Sequence, residues 1–300
     1  MTSRISKVGI IGVPYNVGWR GPGIEEGARA LRNAGLVEEL RKVVGELVDH
    51  GDVEVRLPPR DESNPKLLNA RQVEAVCRSL AAKVHSTVDR EYFPLIIGGE
   101  DSVIMGIIEG FQRTLGPRIG LVYMDAHGDF NTPETTPSGL IGGMNVAITA
   151  GRGSKELVEM FGHSPLLPEE NIVLYGTREL DAMEEKALTK SKVKVYMREK
   201  IREVGVERAV KKILHDLESR CDKVYVHVDL DVLDETAMSA QSYPVGDGLS
   251  MGEFQETLQG LVRSGRLCGM SIMVFNAAKD PEGVEARKVV RLIADVLGPC

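Results

Sequence analysis

No stretch of 18 consecutive apolar residues occurs in the chain, so nothing reads as a membrane-spanning helix. The opening residues, Met1-Thr2-Ser3-Arg4-Ile5-Ser6-Lys7, lack the apolar core of a signal peptide, and a cytoplasmic location is the expectation. The 4 cysteines, Cys77, Cys221, Cys268 and Cys300, have neither metal-site nor redox spacing. They predict thiols that pack or lie at the surface, not a disulfide framework. Positive charge is in the minority: 37 Lys and Arg against 44 Asp and Glu leave a net charge of −7. That balance argues against a nucleic-acid-binding surface, and short basic clusters such as Lys190 to Lys194 and Lys211-Lys212 read as solvated faces. Phosphate-binding motifs are missing too. The segment Gly18 to Gly23 fits neither Gly-x-Gly-x-x-Gly nor Gly-x4-Gly-Lys-Ser/Thr, so it reads better as a tight rim loop of an active site than as a nucleotide cradle. No linker, charge block or repeat divides the chain. With 300 residues and 42% hydrophobic content, one domain over 1–300 is expected rather than two.

What is present begins with Asp125-Ala126-His127-Gly128-Asp129, which closes the apolar run Ile119 to Met124. An apolar run that ends in ligand-type residues reads as a buried strand delivering its carboxyl end to a site. If the chain stayed extended, Asp125, His127 and Asp129 would fall on one side, separated only by small residues. Two carboxylates and an imidazole suit a divalent metal of borderline hardness. A second stretch, Val224 to Asp231, repeats the pattern and ends in Asp229-Leu230-Asp231. Two such strand ends could share a two-metal centre that activates a water; a pair of solvated Asp turns is the plainer reading. Asp101, after the apolar run Leu95 to Gly99, is either a helix N-cap or a further site residue. His227 lies two residues before Asp229, on the same side of the strand. It is a candidate proton carrier, with a structural role bonded to backbone as the alternative. The remaining histidines read as surface groups, and Trp19 and Tyr243 as candidates for the pocket rim.

The periodicity of the remainder alternates strands with helices. Strands are predicted at Val8–Val13, 51–57, Leu95–Gly99, Ile119–Met124, Ile172–Gly176, Val193–Met197, Val224–Asp231 and Leu267–Phe275. Helices are predicted at Ile24–Leu40 (broken near Gly35), Ala70–Asp89, Val103–Thr114, a helix containing Glu184, Val206–Ser219, Ser250–Arg263 and Gly283–Leu297. Asn145–Ala150 is expected to be a helix or a short turn. The loop from Phe130 to Met144, rich in Asn, Thr, Ser and Gly, is of the kind that grips substrates. Roughly eight strands alternating with helices imply an α/β fold: a three-layer α/β/α sandwich around a parallel sheet.

Along nearly its whole length the chain resembles the arginase/agmatinase (ureohydrolase) family. Gly98-Gly99-Glu100-Asp101-Ser102 stands in the place of that family's first metal motif. Asp125-Ala-His-Gly-Asp129 matches the second and His227-Val-Asp229-Leu-Asp231 the third. The resemblance implies the arginase–deacetylase fold and two divalent ions, usually Mn2+, held by Asp101, Asp125, His127, Asp129, Asp229 and Asp231. It implies hydrolysis of a guanidino group by a metal-bridging hydroxide, with Asp129 as catalytic residue, and a homo-oligomer, trimer or hexamer. Asn131 and Ser138 match positions that hold a substrate α-carboxylate, and Asp181 and Glu184 those that hold the α-amino group. Three positions depart from the pattern: Asp101 where the family usually has His, Gly142 where arginases have a proton-shuttling His, and Val274 where they have a Glu facing the guanidinium. The run from Asp129 to Thr136 followed by Gly142-Gly143-Met144 resembles a branch acting on Nω-hydroxy-arginine. The competing expectation is a metal-binding subunit without catalysis, partner to an active paralogue. A small-molecule guanidino compound is the expected partner, with no nucleic acid and no membrane.

Overall fold

A computed structural model describes residues 5–17 and 21–299 of the chain; the expected rim residue Trp19 lies outside them. Among the described residues there are eight strands: β1 (Lys7–Gly12), β2 (Glu46–Asp52), β3 (Phe93–Ile97), β4 (Ile119–Met124), β5 (Ile172–Tyr175), β6 (Lys194–Tyr196), β7 (Lys223–Asp229) and β8 (Leu267–Met273). They form one sheet in the order β2-β1-β3-β8-β7-β4-β5-β6, and every pairing in it is parallel. Parallel pairing forces each return over a face of the sheet, so both faces must be covered.

Alternation along the strands decides which residues face which layer. Val122 and Met124 of β4 join Val224, Val226 and Val228 of β7 in a core under helices Gly27–Asn33, Leu36–Val43, Val206–Glu218, Met251–Arg263 and Val284–Leu297. Leu121 and Tyr123 of β4 join Tyr225 of β7 in the opposite core, under helices Ala70–Asp89 and Ile104–Leu115. This is the predicted three-layer α/β/α arrangement.

Most predicted elements stand within a residue or two of their places, and helix Ala70–Asp89 begins and ends as expected. The expected break at Gly35 is real: Gly35 has φ +94° and separates two short helices. One strand is displaced. The segment expected at 51–57 is strand at Glu46–Asp52, on the sheet edge, bonded to β1 alone. An edge strand carries polar residues, and here Asp49 and Asp52 receive the Arg32 guanidinium; no apolar run marks it. Against expectation, His50 is not a surface group. Its ring is half buried beside Tyr92, and its Nε2 is buried without a partner. Cys77 and Cys221 are buried and free, and Cys268 is partly buried and free.

Helices Ala70–Asp89 and Ile104–Leu115 approach closely because two glycines line their contact. A Cβ on Gly106 would sit 2.4 Å from the Cys77 carbonyl oxygen, and one on Gly110 would sit 2.6 Å from Val84 Cβ. A Cβ on Gly252, also helical, meets nothing within 4 Å. Alanine gains about 1 kcal/mol over glycine in a helix, whereas overpacking costs about 1–3 kcal/mol. The two substitutions therefore have opposite signs. Thermal unfolding should show Gly106→Ala melting lower than the parent and Gly252→Ala at or above it; a rise in melting temperature for Gly106→Ala would refute the close packing.

Candidate metal centre and cavity

The central strands β3, β8, β7 and β4 stand side by side, and their carboxyl ends open into one cavity of about 250 Å³. Three of these ends turn by the same device. A carboxylate at the strand end accepts the backbone N–H two residues on: Glu100 from Ser102 at 3.3 Å, Asp125 from His127 at 2.6 Å, Asp229 from Asp231 at 2.8 Å. Such self-capping turns are what Asp offers a backbone leaving regular structure. The convergence of Asp125, His127 and Asp129 is therefore not the strand alternation expected from sequence. The strand stops at Met124 and Asp129 takes φ +48°. The turns are tied together, since Ala126 N–H donates to Asp231 Oδ1 at 3.0 Å. The open question about Asp101 is also answered: Glu100 is the N-cap of the Asp101–Val103 turn, which leaves the Asp101 carboxylate to the cavity.

Two groups of side chains converge closely enough to hold an ion each. In one, Asp125, His127 and Asp231 offer ligand atoms within 4.8 Å of one another, and in the other Asp101, Asp125 and Asp229 do. Asp125 belongs to both. Oxygen donors with one imidazole fit divalent cations of hard to borderline character. His127 Nδ1 lies 3.2 Å from Asp125 Oδ1 and 3.1 Å from Asp231 Oδ2. Asp129 lines the cavity but stands outside both groups; its Oδ2 accepts from the Tyr123 hydroxyl at 2.6 Å and lies 3.3 Å from Asn145 Nδ2.

The arginase family model matches residues 6–298. The chain belongs to the arginase family. It is 32% identical to the arginase of Bacillus caldovelox over 293 residues, which is 97% of this chain and 98% of that one. Its backbone superimposes on the crystal structure of arginase from Bacillus subtilis with a TM-score of 0.90 at 31% identity, covering 98% of this chain and 99% of that one. Arginase from Entamoeba histolytica, solved in complex with L-ornithine, gives a TM-score of 0.90 at 25% identity and covers 99% of this chain and 100% of that one. Family membership makes the chain a hydrolase of guanidino-type C–N bonds.

Within this arginase-family chain the expected substrate residues gather around the same cavity. Asn131, Ser138, Asp181 and Glu184 all line it. Asn131 Nδ2 donates to Asp181 Oδ2 at 2.9 Å, so two of them are already braced. Glu184 is committed differently. Its oxygens accept the N–H groups of Phe130 at 2.7 Å and Asp181 at 3.1 Å, so it also fastens the Asp129–Asn131 loop to the start of helix Ala182–Thr189. Gly128 is small to admit it: a Cβ there would come 2.9 Å from Glu184 Oε1.

His227 is a correction. Its ring is fully buried, does not line the cavity, and stacks on Tyr123 with centroids 4.8 Å apart and planes 2° from parallel. Nδ1 meets Ser271 Oγ at 2.9 Å, and burial pulls the imidazole pKa down to about 3. A ring held neutral and away from solvent carries no proton to substrate. Sequence reasoning overlooked Tyr123, Asn145 and Glu100; Tyr123 sits inside an apolar run, where it reads as core. Tyr243 is at the rim as expected, edge-on to His127 at 6.1 Å. Val274 lines the cavity with φ +60°, a conformation strained for a β-branched residue and held by its N–H to Gly99 oxygen at 2.9 Å. A Cβ on Gly142 would meet Asp101 Oδ1 at 3.1 Å.

Burial first, then mutual repulsion, raises the carboxyl pKa values of Asp125, Asp129 and Asp229 well above the usual range, and Asp101 is raised chiefly by burial. Burial opposes charge on His127, but the Asp231 carboxylate overrides it and lifts the imidazole to about 10. Without a cation, each raised carboxyl stabilises the fold while protonated, and that contribution is lost as pH rises through its folded value. A bound cation removes the penalty and needs the ionised ligands. The melting temperature of chelator-treated protein should therefore fall further below that of metal-loaded protein as pH is raised from 5 to 8. A gap that stays constant or narrows over that range would contradict the charge balance described.

Proposed function

We propose that the chain hydrolyses the guanidino group of a free amino acid, arginine or a close relative, to urea or hydroxyurea and an amine such as ornithine. The observation that carries this reading is the pair of ligand groups sharing Asp125 in a cavity also lined by Asn131, Ser138 and Asp181. Asp125, His127 and Asp231 would hold one divalent ion and Asp101, Asp125 and Asp229 the other, with Asp129 beside them; Mn2+ is the proposed metal. When bound, the ions supply Lewis-acid activation of water at neutral pH.

The chain's own residues do the rest. Asn131 and Ser138 receive the α-carboxylate of the substrate, and the Asp181 carboxylate receives the α-amino group. Glu184 supports them by fixing both backbone segments, in addition to its own place in the cavity wall. Held at that end, the substrate presents its guanidino carbon to the cavity floor, and orientation removes much of the entropic barrier. Asp129, which lines the cavity beside both ion groups, steadies the tetrahedral centre and passes a proton to the leaving amine.

Within that class we propose an N-hydroxyguanidine as the preferred substrate. Val274 lines the cavity where arginases have a carboxylate, by the resemblance of the flanking residues. An N-hydroxyguanidine is less basic than a guanidine, so it loses less when no carboxylate faces it. With Mn2+ supplied, kcat/KM for Nω-hydroxy-arginine should exceed that for arginine, and Val274→Glu should move the ratio toward arginine by about tenfold, roughly 1.4 kcal/mol of transition-state discrimination. Faster turnover of arginine by the parent protein would refute the preference. Metal binding with no turnover of either compound would favour the non-catalytic subunit instead.

A further inference from the structure

Tyr123 is the least expected member of this site. It is fully buried and does not line the cavity, yet its hydroxyl lies 2.7 Å from Asp101 Oδ2 and 2.6 Å from Asp129 Oδ2. Asn145 Nδ2 reaches the same hydroxyl at 3.1 Å and donates to the Gly142 carbonyl at 2.7 Å. From below, the phenol ring rests flat on His227, whose Nδ1 is engaged with Ser271 of β8. The hydroxyl is thus fixed from three sides: by its strand, by the stack and by the Asn145 amide.

We propose that Tyr123 is the positioning residue that holds the Asp101 carboxylate at the second ion group, and so sets that group's affinity for its ion. The inference rests on the metal-centre reading given above. A phenol has one proton to donate. With Asn145 donating to its oxygen, that proton is directed to one carboxylate at a time, Asp101 or Asp129. Of the two, only Asp101 belongs to an ion group, and it comes from the short turn after β3, where Glu100 does the capping. Asp125 and Asp229 each accept a backbone N–H from their own turn; Asp101 has Tyr123 in that place. The pairing also explains why a carboxylate suits position 101. An imidazole that binds an ion through one nitrogen presents an N–H on the other, which gives a phenol donor nothing to bond. Tyr123 acts through Asp101, not on substrate.

Outer hydrogen-bond partners of ligating groups typically account for about 10–100-fold in metal affinity. The test is calorimetric titration of Mn2+ into chelator-treated parent protein, Tyr123→Phe, Asp101→Asn and the double variant. Phenylalanine keeps the stack on His227 and removes only the hydroxyl. The parent should bind two ions. Tyr123→Phe should bind one of them about 10–100-fold more weakly and the other nearly as before. In the Asp101→Asn background the same change should add less than about twofold, because its target is already altered. Two ions bound by Tyr123→Phe with parental affinity, or losses that simply add in the double variant, would overturn the proposal. A parent that binds no ion would instead overturn the metal-centre reading beneath it. If Tyr123→Phe does not fold, Asn145→Ala removes the amide that orients the hydroxyl and should weaken the same ion; unchanged affinity there counts against the proposal.

Discussion

Asp101, Asp125, Asp129, Asp229 and Asp231 are all buried, and all sit at the floor of a single cavity. Carboxylates in such a place repel one another across a medium of low dielectric and lose their hydration, both of which oppose folding. Everything nearby serves to keep them together. Each of the two Asp-x-ligand turns binds its own backbone, and the turns bind each other through Ala126 and Asp231. Arg178 adds a clamp from β5: its Nη2 donates to the carbonyls of Asp231 at 2.7 Å and Val245 at 2.8 Å, and its Nε to Gly246 at 3.0 Å. That half-buried guanidinium contributes positive charge behind the site while it fixes the loop bearing Tyr243. A fold that invests this much in holding like charges together is built for a cation.

The sheet supplies the stiffness. Because β3, β8, β7 and β4 are adjacent and parallel, their carboxyl ends fall at one edge, where α/β sheets place their sites. Neighbouring β7 and β4 carry the two Asp-x-ligand turns, and β3 brings Asp101 from beyond β8. The strand between them ends at Met273, and Val274, the next residue, lines the same cavity. The chemical content of the cavity can therefore change at position 274 without moving a ligand, since the ligands stand on other strands.

Much of this is legible in the chain, for identifiable reasons. Buried parallel strands read as unbroken apolar runs, and Asp or His at their ends contrasts sharply with them. The strand at Glu46–Asp52 escapes because an edge strand lacks that contrast. The carboxylates could be named from sequence, but not how they converge, since that depends on turns set by side chain to backbone bonds two residues apart. His227 misleads because its spacing from Asp229 does place it on the site's side of the strand; burial depth, which spacing does not carry, puts it beneath Tyr123 instead. Tyr123 itself is invisible among Leu121, Val122 and Met124. A tyrosine in an apolar run becomes functional only when its hydroxyl finds partners, and the three here, Asp101, Asp129 and Asn145, all lie outside the strand.

The departures at positions 101, 142 and 274 are best understood together. Aspartate at 101 brings a negative charge to the site, and valine at 274 leaves the facing wall without one. Glycine at 142 leaves room beside Asp101 Oδ1, and its backbone carbonyl receives the Asn145 amide. That amide steadies Tyr123, and Tyr123 steadies Asp101, so positions 142 and 101 belong to one hydrogen-bonded chain, and Val274 stands outside it. A site decaying by drift loses its partners independently and leaves buried acceptors unpaired, at a cost of about 1–3 kcal/mol each. Here one Tyr123 proton serves Asp101 and Asp129 between them, and Asn131 braces Asp181, while Asn145 Oδ1 and His227 Nε2 of the same network are buried without a partner among the described residues. The formal charge of the site is kept while its distribution changes: position 101 carries a carboxylate held within a hydrogen-bonded network, and position 274 carries none.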